Sequence, residues 1–116
     1  MVLAMVTRSA ALDEVFRALA DPTRRAVVEQ LGRGPAATSQ LAGHFEMALP
    51  SFVQHLDVLS DCGLVSSAKQ GRVRTYQLVP TGLAPAEHWL DAQRRLWTTR
   101  LDQLDTYLTD LGGDPT

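Results

Sequence analysis

The sequence predicts a mainly α domain carrying one two-stranded β-hairpin, and three observations point there. Apolar residues recur at helical spacing through most of the chain, as in Leu12, Val15, Phe16 and Leu19. Strand character rich in Val, Thr and Tyr is confined to one stretch, SSAKQGRVRTYQLV, around Gln70 and Gly71. Pro22, Pro50 and Pro85 stand where helices begin, and Gly32, Gly63 and Gly112 stand where they end.

The first helix is expected over 9–20, with Leu12, Val15, Phe16 and Leu19 on one stripe and Asp13 and Glu14 near the positive end of its dipole. Asp21 reads as an N-cap and Pro22 as the first residue of a second helix, PTRRAVVEQL, buried through Ala26, Val27 and Leu31 and stopped by Gly32 and Gly34. Arg24 and Arg25 read as its solvated face. A short helix follows from Thr38 to Phe45, capped by Thr38 or Ser39 and turning Leu41, Ala42 and Phe45 inward. The tight link EMAL leads into a helix over 50–62. Phe52, Leu56 and Leu59 form its buried stripe, Gln54, Asp57 and Val58 lie roughly opposite, and Ser51 and His55 flank them. Two short helices joined this way, over 38–63, make a helix-turn-helix, whose second helix enters a DNA major groove. The hairpin over 65–79 turns at Gln70 and Gly71, and a helix-turn-helix followed by a basic hairpin is a winged helix. The last helix is expected over 83–111. Leu90, Trp97, Leu101, Leu104, Leu108 and Leu111 repeat at intervals of 7, 4, 3, 4 and 3, a heptad seam that Trp89 and Leu96 widen. Pro85 falls in its first turn, and Gly112 and Gly113 end it. The whole chain, 1–116, reads as a single winged helix-turn-helix domain.

The run ALADPTRRAVVEQL, then SQLAGHFEMALPSFVQHLDVLSDCGLV, then KQGRVRTYQL resembles the ArsR/SmtB family of bacterial transcriptional regulators over about 12–78. The resemblance implies a homodimer built by the first and last helices, with Leu12, Phe16, Leu90, Trp97, Leu101, Leu104 and Leu108 at the interface. It also implies a repressor. Metal-sensing members carry a Cys-x-Cys pair where this chain has Ala37 and Ser39, so the likeness is to a subgroup lacking those cysteines. A second family metal site uses Asp-x-His and a later His-x-x-Glu on the last helix. Here Glu87, His88 and Asp91 share a turn with no second His, too few ligands for a zinc site. No metal and no cofactor are expected.

The chain of 116 residues is long enough to bury a core, and its 45% hydrophobic content with mixed charge excludes a disordered chain. Its net charge of −2 hides an uneven distribution. Lys69, Arg72 and Arg74 stand in the hairpin without an acid, whereas 87–114 carries six acids against three arginines. The basic field is therefore local to the wing. One cysteine, Cys62, no apolar run of the ~20 residues a bilayer requires, and a short MVLAMV start followed by Arg8 point to a cytoplasmic protein with no membrane partner.

A dimer sets two recognition helices about 34 Å apart on double-stranded DNA and favours an inverted repeat. Gln54 suits adenine bidentately, Ser51 and His55 suit bases or phosphates, and Val53 suits a thymine methyl. Lys69, Arg72 and Arg74 supply wing contacts to backbone or minor groove, with Gly71 letting the tip approach closely. Asp57 and Asp61 oppose phosphate. An enzyme is not expected: Cys62 and His55 stand about 10 Å apart along the helix axis, and no phosphate loop, paired-carboxylate site or nucleophile motif is present. Two alternatives stay open at this level. One is a regulator sensing a small apolar ligand at the dimer interface, near Phe16, Trp89 and Trp97; the other is a winged helix used for protein contacts, with an unknown small-molecule or protein effector.

Overall fold

The computed structural model describes residues 2–112, and side chains from residue 10 onward. Five helices and three strands follow in the order α1 (Val2–Leu19), α2 (Pro22–Leu31), β1 (Ala36–Ala37), α3 (Thr38–Ala42), α4 (Leu49–Asp61), β2 (Val65–Gln70), β3 (Val73–Leu78) and α5 (Ala84–Leu111). The chain divides into two units between Ala86 and Glu87.

Helix α1 begins at Val2 rather than Ser9. The stretch before Ser9 holds no Gly or Pro and includes Leu, Ala and Met, strong helix formers, so nothing local forces a start at Ser9. The α2 boundaries match the sequence reading because two strong local signals coincide: the Asp21 carboxylate accepts the Arg24 backbone N–H at 2.9 Å, and Pro22 opens the first turn. Its buried positions are Val27 and Leu31, with Ala26 only half-buried. Helix α3 stops at Ala42, three residues short of Phe45, as Gly43 caps it. Its cap is also not a hydroxyl. Ala37 occupies the N-cap, and the Gln40 side-chain oxygen reaches back to accept the Ala37 N–H at 2.8 Å.

The sheet corrects the expectation of two strands. Its order is β1-β3-β2, all antiparallel, with Ala36 opposite Tyr76 and Ala37 opposite Thr75. A two-residue strand has no periodicity to read, and only its pairing with β3 gives it away. The hairpin itself forms as expected, with Gln70 opposite Val73 and the turn at Gly71 and Arg72. Gly71 takes φ +62°, the left-handed region that a two-residue hairpin turn demands.

The core of the first unit collects Val15, Val27, Leu31, Leu41, Phe52, Leu56, Leu59, Leu64, Val65 and Tyr76. Phe45 packs its ring 5.2 Å from that of Phe52, which is why Phe45 turns inward although it lies beyond the end of α3. Ala86, in the first turn of α5, joins this core. The second unit is the remainder of α5. It leaves Leu90, Leu96, Trp97, Leu101, Leu104, Tyr107, Leu108 and Leu111 exposed, a continuous apolar seam on one helix. Gly113 and the tail beyond it lie outside the described residues.

Candidate nucleic-acid interface

Helix α4 is held by one face and open on the other. Phe52, Leu56 and Leu59 are each fully buried, which fixes its rotation about its own axis. Pro50 falls in the first turn, where its missing N–H is harmless, and Gly63 at φ +84° turns the chain out of the helix into β2. With the rotation fixed, Ser51, Gln54 and Asp57 are exposed, and Val53 is half-buried beside them.

The wing stands across from this face. An open groove of about 550 Å³ is lined from α4 by Val53, Asp57 and Ser60, and from the sheet by Ser67, Lys69, Arg72, Arg74 and Tyr76, with Thr38 at its edge. A second groove of about 530 Å³ runs between the start of α3, including Thr38 and Ser39, and Arg72, Val73 and Arg74. The structure thus gathers Val53 and the three wing cations around one concavity. Arg74 is braced there: its guanidinium donates to the Ser67 hydroxyl at 2.8 Å, and its carbonyl accepts from the Thr38 hydroxyl at 3.3 Å. Lys69, Arg72 and Arg74 are exposed, so their charges remain available to an anionic ligand. Tyr76 is buried under the groove floor, and that burial raises its phenol above the ordinary value.

Asp57, expected on the outer face of α4 and opposed to phosphate, is exposed there. It lies in the same groove as the wing cations, close enough to Tyr76 to help raise its pKa. Its spacing of three and four residues from Gln54 and Val53 was the available signal. Arg24, expected on a solvated face, is half-buried and engaged. Its Nε donates to the Ala18 carbonyl at 2.8 Å and its NH2 to the Arg17 carbonyl at 3.0 Å, while NH1 lies 3.1 Å from His55 Nδ1. His55 is accordingly half-buried against the α1–α2 corner, with Asp21 3.7 Å from Nδ1, whereas Ser51 and Gln54 are exposed. Asp21 itself is held below the ordinary carboxylate range, first by the Arg24 backbone N–H and also by the nearby His55 and Arg24.

Of the residues expected at a dimer interface, Leu12 packs half-buried against the first unit's core and Phe16 is 36% exposed. Leu90, Trp97, Leu101, Leu104 and Leu108 are exposed along α5. Cys62 is half-buried, its thiol donating to the Leu59 carbonyl at 3.4 Å, and burial raises its pKa. Among the described residues, no three His, Cys, Asp or Glu side chains are grouped as a metal site, Glu87, His88 and Asp91 included. No described helix is long and apolar enough to cross a membrane.

A family model described as a helix-turn-helix domain matches residues 19–68. The HTH-type transcriptional regulator Rv2034 of Mycobacterium tuberculosis is 44% identical over 104 residues, covering 90% of this chain and 94% of that protein. The transcriptional repressor SdpR of Bacillus subtilis is 32% identical over 79 residues, 68% of this chain and 88% of its own. The crystal structure of an ArsR family transcriptional regulator superposes with a TM-score of 0.75 at 49% identity, covering 78% of this chain and 93% of that one. The buried stripe of α4, the basic wing beside its exposed face and these likenesses agree: the chain belongs to the ArsR/SmtB family of winged helix-turn-helix DNA-binding transcriptional regulators.

Proposed function

We propose that this chain is a cytoplasmic, homodimeric repressor that binds an inverted-repeat operator through α4 and the wing. The observation that carries the reading is the groove in which Val53, Asp57 and Ser60 of α4 stand opposite Lys69, Arg72 and Arg74, with Ser51 and Gln54 exposed on the same helix outside its lining. An α-helix fits a major groove, and the wing cations Lys69, Arg72 and Arg74 reach the flanking backbone or minor groove. Ser51 and Gln54 read base edges from the start of α4, and Val53 meets a thymine methyl. Repression is supported by the likeness to SdpR, a transcriptional repressor. Pairing is supported by the α5 seam: six of its apolar residues at heptad spacing are exposed in the single chain, an arrangement that demands a partner helix.

The test is a gel shift of purified, EDTA-treated protein on its own upstream DNA, at two salt concentrations and with or without zinc. Salt-sensitive, sequence-selective binding unaffected by zinc is expected. Release by zinc would reinstate a metal sensor, and equal affinity for every duplex would remove the operator reading. Gln54→Ala should change which sequence is preferred; a uniform loss on all sequences would refute its base-reading role.

A further inference from the structure

Arg24 ties three elements together through one side chain. It holds the last carbonyls of α1 through Arg17 and Ala18, its backbone N–H is capped by Asp21 at the start of α2, and its third guanidinium contact is His55 of α4. A guanidinium has donors and no acceptor, so the 3.1 Å contact forms only if His55 Nδ1 carries a lone pair. A neutral imidazole with a lone pair on Nδ1 has its hydrogen on Nε2. About a quarter of the His55 side chain, 23%, stays exposed, and among the described residues both polar contacts of the ring are made through Nδ1.

We infer that Arg24 is a positioning residue that fixes His55 as the Nε2–H tautomer, so that α4 presents a preset ring N–H donor to an acceptor atom on DNA. The inference rests on the DNA-binding reading of α4. It adds that His55 is not a free flanking side chain but one oriented from the α1–α2 corner. The competing partner is Asp21, 3.7 Å from Nδ1. Were the Arg24 contact absent, that carboxylate would draw a proton to Nδ1 and reverse the tautomer. Arg24 and Asp21 are the charged groups in polar contact with the ring among the described residues.

The first test needs no DNA. Long-range ¹⁵N spectra of histidine-labelled protein at pH about 8, where an ordinary imidazole is neutral, should show His55 with its hydrogen on Nε2. In Arg24→Met, and in Arg24→Ala, which carry no donor, the hydrogen should move toward Nδ1 while the exposed His44 and His88 signals stay unchanged. An Nδ1–H tautomer in the wild-type chain would overturn the inference, as would a His55 signal indifferent to both variants. The second test is the gel shift. The amide nitrogen of His55→Gln lies near the position of Nε2, whereas His55→Asn reaches only as far as Nδ1. His55→Gln should stay within about threefold of wild type and His55→Asn should lose about tenfold, the scale of one lost hydrogen bond. Equal behaviour of the two variants would refute the donor role. Loss confined to the operator assigns the acceptor to a base, and loss on every duplex assigns it to a phosphate. Failure of the wild-type chain to bind DNA at all would instead defeat the DNA-binding reading and leave the tautomer result standing on its own.

Discussion

Replacing Arg72 with alanine removes one of three exposed cations from the wing, and the consequence is best read as a salt slope. A dimer presents two wings, hence about six phosphate-neutralising side chains if Lys69, Arg72 and Arg74 all engage, and log K then falls against log salt with a slope near −5.4. Between about 50 and 200 mM salt the wild-type affinity should drop roughly 2,000-fold. Arg72→Ala leaves about four such contacts, a slope near −3.6 and a drop of roughly 150-fold over the same range. Arg72 lies at the turn of the hairpin and carries no described hydrogen bond, so its removal should leave the fold intact. Fluorescence anisotropy on the operator and on a scrambled duplex, over five salt concentrations, measures both slopes. The variant should weaken binding on both duplexes alike. An unchanged slope, or a loss confined to the operator, would refute the assignment of Arg72 to the backbone.

Asp57→Asn should tighten binding to scrambled DNA about fivefold and to the operator less, because the acid shares the groove with the wing cations and opposes phosphate there; equal tightening on both in the same anisotropy assay would remove Asp57 from the specificity of the site. Gly82→Ala should destabilise the chain by about 1–3 kcal/mol in urea unfolding, since a Cβ at that position would sit 2.6 Å from the Gly63 carbonyl oxygen and 3.0 Å from Leu64 Cα. Both obstacles are backbone, so a neutral result would mean that the α4–β2 turn moves aside. Asp21→Ala should cost about 1 kcal/mol through the lost N-cap. Because the folded-state pKa of Asp21 is lowered, its contribution is complete above the unfolded value and fades as the pH falls through the folded one. Wild type and variant should therefore converge in stability in acid, and a gap that persists to pH about 2 would exclude the ionised cap as the cause.

Local chemistry made much of this molecule legible in its sequence. Asp21 and Pro22 mark the start of α2, Phe52, Leu56 and Leu59 at helical spacing mark the inner face of α4, and Gly71 marks the wing turn, because capping, periodicity and left-handed backbone each act within a few residues. The heptad seam of α5 was readable for the same reason. The site's candidates were legible as types: a polar outer face on α4 and a cluster of cations after it. Elements that owe their form to distant partners were not. β1 exists only through its pairing with Tyr76 and Thr75, and the sharing of one groove by Asp57 and the wing cations depends on where the wing stands across from α4. Arg24 shows the limit most clearly. On a helix surface an arginine defaults to solvent, and only the arrival of the α1 carbonyls and His55, the latter 31 residues away, turns it into the joint of three helices. Sequence by itself determined where α2 begins and which face α4 buries, since those follow from capping, short-range sterics and periodic apolar burial. Tertiary structure alone decided which polar side chains meet, since hydrogen bonds between elements depend on how the buried faces stack.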